Sequence, residues 1–227
     1  NSGKDNAKAL QSLIDEVDAR AERMRKSHAI LIDLRGNAGG NSMWADRLSI
    51  AIFGERAVRK VQRGQQNHAI QWRASAENIA YWRSWLVDVA VPQFGEKSDN
   101  AEFAREVVRN LDDALARDPP VWLQGTMRPP VGGGLTQRRP RGRGAFPARV
   151  YVLSDGSCAS SCLDFADTVL HMDGVRLIGS ATAGDGAYQE VRDERLPSGL
   201  ATLTFPQQLA IGAPRGEPLF HLIHEVY

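Results

Sequence analysis

Three times along the chain an apolar, β-type run ends abruptly in a turn of small residues. "HAILIDLR" (28–35) runs into "GNAGGN", "ARVYVLSD" (148–155) into "GSCASS", and "GVRLIGSA" (174–181) into a glycine-rich stretch that completes "GSATAGDG". Helical spacing follows the first two turns, over 42–54 and 159–172. Ser42 stands as an N-cap and Gly54 as a stop for the first of these helices. Strands that alternate with helices predict an α/β fold with a mainly parallel sheet. Ala29 to Ile32 form an unbroken apolar run, the pattern of a buried strand. Chemical groups in such sheets lie in loops beyond the carboxyl ends of the strands, which is where all three turns fall.

The rest of the chain fits around this pattern. Leu10, Leu13, Ile14, Val17 and Met24 recur at helical spacing and predict an amphipathic helix over 5–26. "RAVRKVQR" (56–63) reads as a short strand. Residues 64–147 form a long irregular segment with helical, Trp-rich stretches at 75–91 and 100–118. It ends in a loop dense in Gly, Pro and Arg (127–147), read as solvated and mobile. The last stretch predicts a hairpin turning at Pro197-Ser198-Gly199. No internal repeat is present.

Composition excludes several classes. The 227 residues suffice for one large domain or two small ones, and 42% hydrophobic content supports an ordinary core. A formal net charge of +1 argues against nucleic acid or an anionic membrane as an obligate partner. No apolar stretch approaches the roughly 20 residues of a membrane span. The opening "NSGKDNAKAL" is neither a signal peptide nor headed by Met, which suggests a processed or excised fragment. The two cysteines, Cys158 and Cys162, read as small buried thiols, since four-residue spacing on a helix would strain a disulfide. Two thiols are too few for a zinc site, so neither metal nor cofactor is expected.

"GSCASSCLDFAD" (156–167) places Ser160 and Ser161 at the start of a helix. A serine there is either a plain helix cap or a nucleophile beside free backbone N–H groups and the positive end of a helix dipole. Such groups favour the negative charge of a tetrahedral intermediate, and glycines let a second backbone approach.

"ILIDLRGNAGG" (30–40), "VYVLSDGSCASSCLDFAD" (150–167) and "LIGSATAGDG" (177–186) resemble, in order, the core of the S41 peptidases. That family includes C-terminal processing and tricorn-type proteases. Its pattern is D-L-R-x-N-x-G-G, then a strand leading to T-A-S-A-x-E, then G-x-x-T-x-G-K-G. The resemblance implies a ClpP/crotonase-like spiral core with a mainly parallel sheet flanked by helices, plus a helical insertion at about 64–147. It covers about half of the chain and does not extend over 64–147. Carried over by position, Ser160 is the nucleophile, the Ser161 N–H one oxyanion donor, and Gly39 or Gly40 the source of the other.

The Lys that acts as base in the processing proteases is replaced by Asp185. A carboxylate is a poor base for a hydroxyl. The tricorn-type branch takes its His from upstream of the core. Of the histidines here, His28 opens a strand at the end opposite the site, His68 is in the insertion, and His171 lies ~16 Å along the helix from Ser160. His221 and His224 are near the end of the sequence. Asp185 and Glu190 are candidate pocket or orienting residues, and Glu217 a further one.

The implied function is a serine peptidase acting on a peptide or protein substrate through an acyl-enzyme on Ser160. The alternative is an inactive S41-like module that binds peptides; an acyl-CoA enzyme of the crotonase type and a purely structural protein rank lower. No PDZ-like segment is visible, so selectivity would fall to the 64–147 segment as a lid or to upstream parts. Relatives are often exported, which leans localisation toward an exported or periplasmic protein.

Overall fold

The computed structural model describes residues 2–65, 69–125 and 148–211. His68, His221, His224, Glu217 and the Arg-rich stretch 127–147 lie outside the described residues. The chain divides into two compact units. One comprises Asn1–Gln66, Val131–Gly186 and Pro214–Tyr227; the other comprises Asn67–Pro130 and Ala187–Ala213.

The first unit holds a three-stranded parallel sheet. Its strands are β1 (Ala29–Asp33), β4 (Arg149–Ser154) and β5 (Val175–Gly179), with β4 central. Asp33 sits opposite Leu153, and Ser154 opposite Gly179. The expected alternation of strand and helix is therefore present. The unbroken apolar run of β1 nevertheless does not bury the strand on both faces: Ile30 is buried, but Leu31 is 59% exposed. Among the described residues β1 is an edge strand, and its inward-facing residues join the core.

Helices α1 (Ser2–Ala19) and α2 (Ala21–Arg25) precede β1, so the helix expected over 5–26 breaks at Arg20. α3 (Ser42–Phe53) follows the first glycine-rich turn. Its cap is Asn41 rather than Ser42, since the Asn41 side chain accepts the Met43 N–H. Gly54 ends it at φ 85°, a conformation that glycine adopts without strain.

Residues 56–63 form not a strand but helix α4 (Glu55–Gln65). Ala57, Val58 and Val61 recur at spacings of three and four, the helical period. Val58 is fully buried, and Arg59 and Gln62, three apart, both bond to Asp46. α8 (Ser161–Leu170) follows β4 and packs against α3. Leu34, Ile52, Val152, Phe165, Val169 and Leu177 form the centre of this core.

The second unit is built on a four-stranded antiparallel sheet. β2 (Ala69–Arg73) lies between β3 (Val121–Gln124) and β7 (Thr202–Ile211), and β6 (Tyr188–Arg195) is at the edge. The expected hairpin is β6–β7, with Leu196–Ala201 closing the turn through the Leu196 N–H on the Ala201 carbonyl. Strands β2 and β3 flank the helical stretches within a segment expected to be helix and loop alone. Those helices are α5 (Ala76–Trp85), a π-helical turn (Leu86–Ala90), α6 (Val91–Phe94) and α7 (Asp99–Leu115). Ser75 and Ser98 cap α5 and α7 by accepting the N–H groups three residues on. Trp72, Trp82, Phe103 and Leu111 fill this second core, with Trp72 and Trp122 stacked at 5.8 Å.

Candidate active site

The site is assembled at the carboxyl ends of β1, β4 and β5. The turn after β4 carries Ser160, which immediately precedes α8. Ser160 has φ 53° and ψ −126°, a backbone conformation rare for a residue with a side chain. Its side chain makes no capping hydrogen bond to α8, and the residue is exposed. The simple helix-cap interpretation of Ser160 is therefore not what this turn shows. Strained non-glycine backbone of this kind clusters at functional sites.

Ser161 is buried and is the first residue of α8. Its N–H belongs to the first turn, where no intrahelical acceptor exists. The glycine-rich turn after β1 comes up against it. A Cβ placed on Gly39 would lie 2.7 Å from the Ala159 carbonyl oxygen, 2.8 Å from Ser160 Cβ and 3.1 Å from the Ser161 nitrogen. Only glycine allows this approach. The two glycines, which sequence alone left equivalent, are distinct here. The Gly39 N–H donates to Asn37 Oδ1 at 2.9 Å. Gly40 has open space around the equivalent position, and its N–H donates to no described residue.

The third motif reaches the same turn. The Ala183 N–H donates to the Cys158 carbonyl at 3.0 Å, and Thr182 beside it is buried. Asp185 follows two residues later and is half-buried. The three turns read from the sequence thus meet around Ser160. Glu190 belongs to the other unit, where it lies exposed on β6 with φ 49°.

Cys158 and Cys162 are disulfide-bonded, not the free thiols expected from their spacing. Cys158 lies in the turn ahead of α8 rather than on it, and the Cα atoms are 5.4 Å apart, within the usual range for a bridge. The bridge encloses Ser160 and Ser161 in a small covalent ring with both sulfurs in the core.

Two carboxylates that sequence reading passed over organise these loops. Asp155 accepts the Gly36 N–H at 3.2 and 3.1 Å and the Ser157 N–H at 2.9 Å. Asp164 accepts the Ser42 hydroxyl at 2.6 Å, tying the start of α3 to the first turn of α8. The available signal was the Asp-Gly pair closing β4, which favours a side-chain-bonded turn. At the end of β1, Arg35 forks onto Asp33, and its hydrogen bonds hold the Asp33 carboxyl down at about 2.

Neither described histidine is placed beside Ser160 by its element. His28 precedes β1, at the end opposite the glycine-rich turn. His171 ends α8, with Nδ1 2.7 Å from the Asp167 carbonyl oxygen. Among the described residues no group of three His, Cys, Asp or Glu could hold a metal ion, and no helix is long and apolar enough to cross a membrane.

No curated protein matches the chain. Matches among solved structures include a point mutant of CPAF, at TM-score 0.49 and 14% identity, covering 90% of this chain and 39% of that one. Mature CPAF complexed with lactacystin gives TM-score 0.47 and 14% identity, covering 87% and 38%. Mature CPAF alone gives TM-score 0.47 and 14% identity, covering 90% and 41%. The chain thus spans about two fifths of the length of these solved proteins. The family model described as Peptidase family S41 matches residues 2–208, a span that includes all three turns and reaches into both compact units. On that match the chain belongs to peptidase family S41.

Proposed function

We propose that this chain carries serine peptidase chemistry, with Ser160 as the nucleophile attacking a peptide carbonyl and forming an acyl-enzyme. The observation that carries the reading is the close approach of Gly39 to an exposed Ser160 held at positive φ. The Ser161 N–H is one oxyanion donor. The Gly40 N–H is the other, because the neighbouring Gly39 N–H is already engaged by Asn37. Two such donors aimed at the developing oxyanion are worth ~3 kcal/mol each in transition-state stabilisation. The parallel-sheet unit, with its nucleophile at a helix start beyond a strand end, is assigned to the ClpP/crotonase-like spiral type. Family membership makes peptides or proteins the substrate class, with Asp185 lining the pocket.

The test is Ser160→Ala in the full protein, followed by hydrolysis of a casein-derived peptide mixture and labelling with a fluorophosphonate probe. The expected result is loss of at least about 10³-fold in turnover and no label, with the fold intact. Undiminished turnover in that variant overturns the assignment.

A second reading, an inactive peptide-binding module, is favoured by one observation. Asp185 stands where the processing proteases carry their base, and neither His28 nor His171 is positioned to replace it. Peptide binding by a wild-type protein that takes no label at Ser160 would select this reading.

A further inference from the structure

We infer that Asp155 is a positioning residue for catalysis, setting the separation between the glycine-rich turn after β1 and the serine-bearing turn after β4. This rests on the reading of Ser160 as nucleophile and deepens it.

The strand ladder between β1 and β4 ends with the Leu34 N–H on the Leu153 carbonyl at 2.8 Å. Past that point the two turns are no longer held by sheet hydrogen bonds. Polar ties reconnect the two turns and the helices that follow them. Asp155 takes the Gly36 N–H and the Ser157 N–H, joining residues 119 positions apart in the chain. Asp164 takes the Ser42 hydroxyl on the far side. The oxyanion donors assigned to Gly40 and Ser161 lie between these ties along the chain. Asp155 is therefore the clamp at the β-sheet end of the site.

Its chemistry suits the task. Oδ1 accepts from both turns, and Oδ2 adds a second contact to the Gly36 N–H; a carboxamide keeps one acceptor oxygen and loses the negative charge that strengthens these bonds. Oxyanion donors act only within about 2.7–3.1 Å of the charge that develops, so a small change in loop separation is felt in the rate. Asp155 touches neither substrate nor nucleophile in this arrangement; it acts through the spacing of the groups that do.

The test compares wild-type protein with Asp155→Asn and Asp155→Ala in fluorophosphonate labelling at Ser160. Probe concentration is varied to separate the maximal inactivation rate from the half-saturating concentration. The maximal rate is expected to fall about 10-fold in Asp155→Asn and about 10²-fold in Asp155→Ala, with half-saturation within twofold. The fraction of protein finally labelled stays at the wild-type value, which a merely misfolded variant would not show. If Asp155→Ala does not fold, Asp155→Asn, which keeps one acceptor, decides the matter. Maximal rates within twofold of wild type in the folded variants overturn the inference alone. Wild-type protein that takes no label overturns the nucleophile reading and, with it, this inference.

Discussion

Gly39 is so close to Ser160 that a single methyl group on its Cα would stand 2.8 Å from the serine Cβ. The added carbon would also meet backbone at 2.7 and 3.1 Å, which cannot rotate away. Gly39→Ala is therefore expected to lose about 2–4 kcal/mol, from overpacking together with the φ of 102° that alanine resists. Gly40→Ala meets nothing within 4 Å and is strained only through its backbone, at φ 148°. Its cost is expected to be about 1 kcal/mol. Urea unfolding of the two variants checks this ordering, and equal losses would contradict the packing seen here.

The strained backbone at Ser160 predicts a trade-off between stability and function. Ser160→Gly removes both the hydroxyl and the steric cost of positive φ. The variant is expected to be inactive but more stable by about 1 kcal/mol, which raises the melting temperature by about 2–4 °C. Ser160→Ala keeps the strain and should melt near wild type. Calorimetry on the pair checks it, and a Ser160→Gly variant melting below Ser160→Ala would count against strain at this position.

Acid should weaken the fold partly through Asp33. Its carboxyl is held at about 2 instead of its ordinary 3.8, first by the Arg35 side-chain hydrogen bond and then by the Arg35 backbone N–H. The folded form binds this proton less tightly than the unfolded form. The contribution is therefore fully present above about pH 4 and fades as pH falls toward 2. Asp33→Asn is expected to flatten the fall of the urea midpoint across that window. Identical slopes for wild type and variant would remove Asp33 from the acid response.

Reduction of the Cys158–Cys162 bridge is expected to lower stability by roughly 2 kcal/mol, the loop-closure value for so short a ring. Melting of the protein with and without a thiol reductant under denaturing exchange measures this, with Cys158→Ser plus Cys162→Ser as the permanent form. An unchanged midpoint would show that the ring contributes nothing beyond packing.

The parts of this fold that can be read from residues alone are those set by local chemistry. β1, β4 and β5 stand out because apolar runs stop at glycine- and serine-rich turns, and α8 because its helical spacing begins at once. The place expected for a candidate site is legible in the same way, since all three turns fall at strand ends. What escaped depends on partners distant in sequence. β2 and β3 are five and four residues long and show no usable period; they exist as strands because they pair with each other and β2 also pairs with β7. α4 escapes too, because a short basic stretch with valines suits either period until Val58 finds its core and Asp46 its two partners. Gly39 and Gly40 look alike in sequence and differ in the fold, where Asn37 holds the Gly39 amide. The backbone of Ser160 and the disulfide around it are set by the packing of the turn, which no residue pattern announces.

The strand order has a consequence for biosynthesis. β1 waits for β4, whose first residue lies 116 positions after the last of β1, and β2 waits for β7, which begins only at Thr202. A chain emerging from the ribosome at ~5–20 residues per second must therefore carry both half-made sheets for several seconds with their apolar edges uncovered. Each sheet is completed by residues translated late, so a nascent chain arrested before Thr202 would be a customer for chaperones rather than a partly working protein.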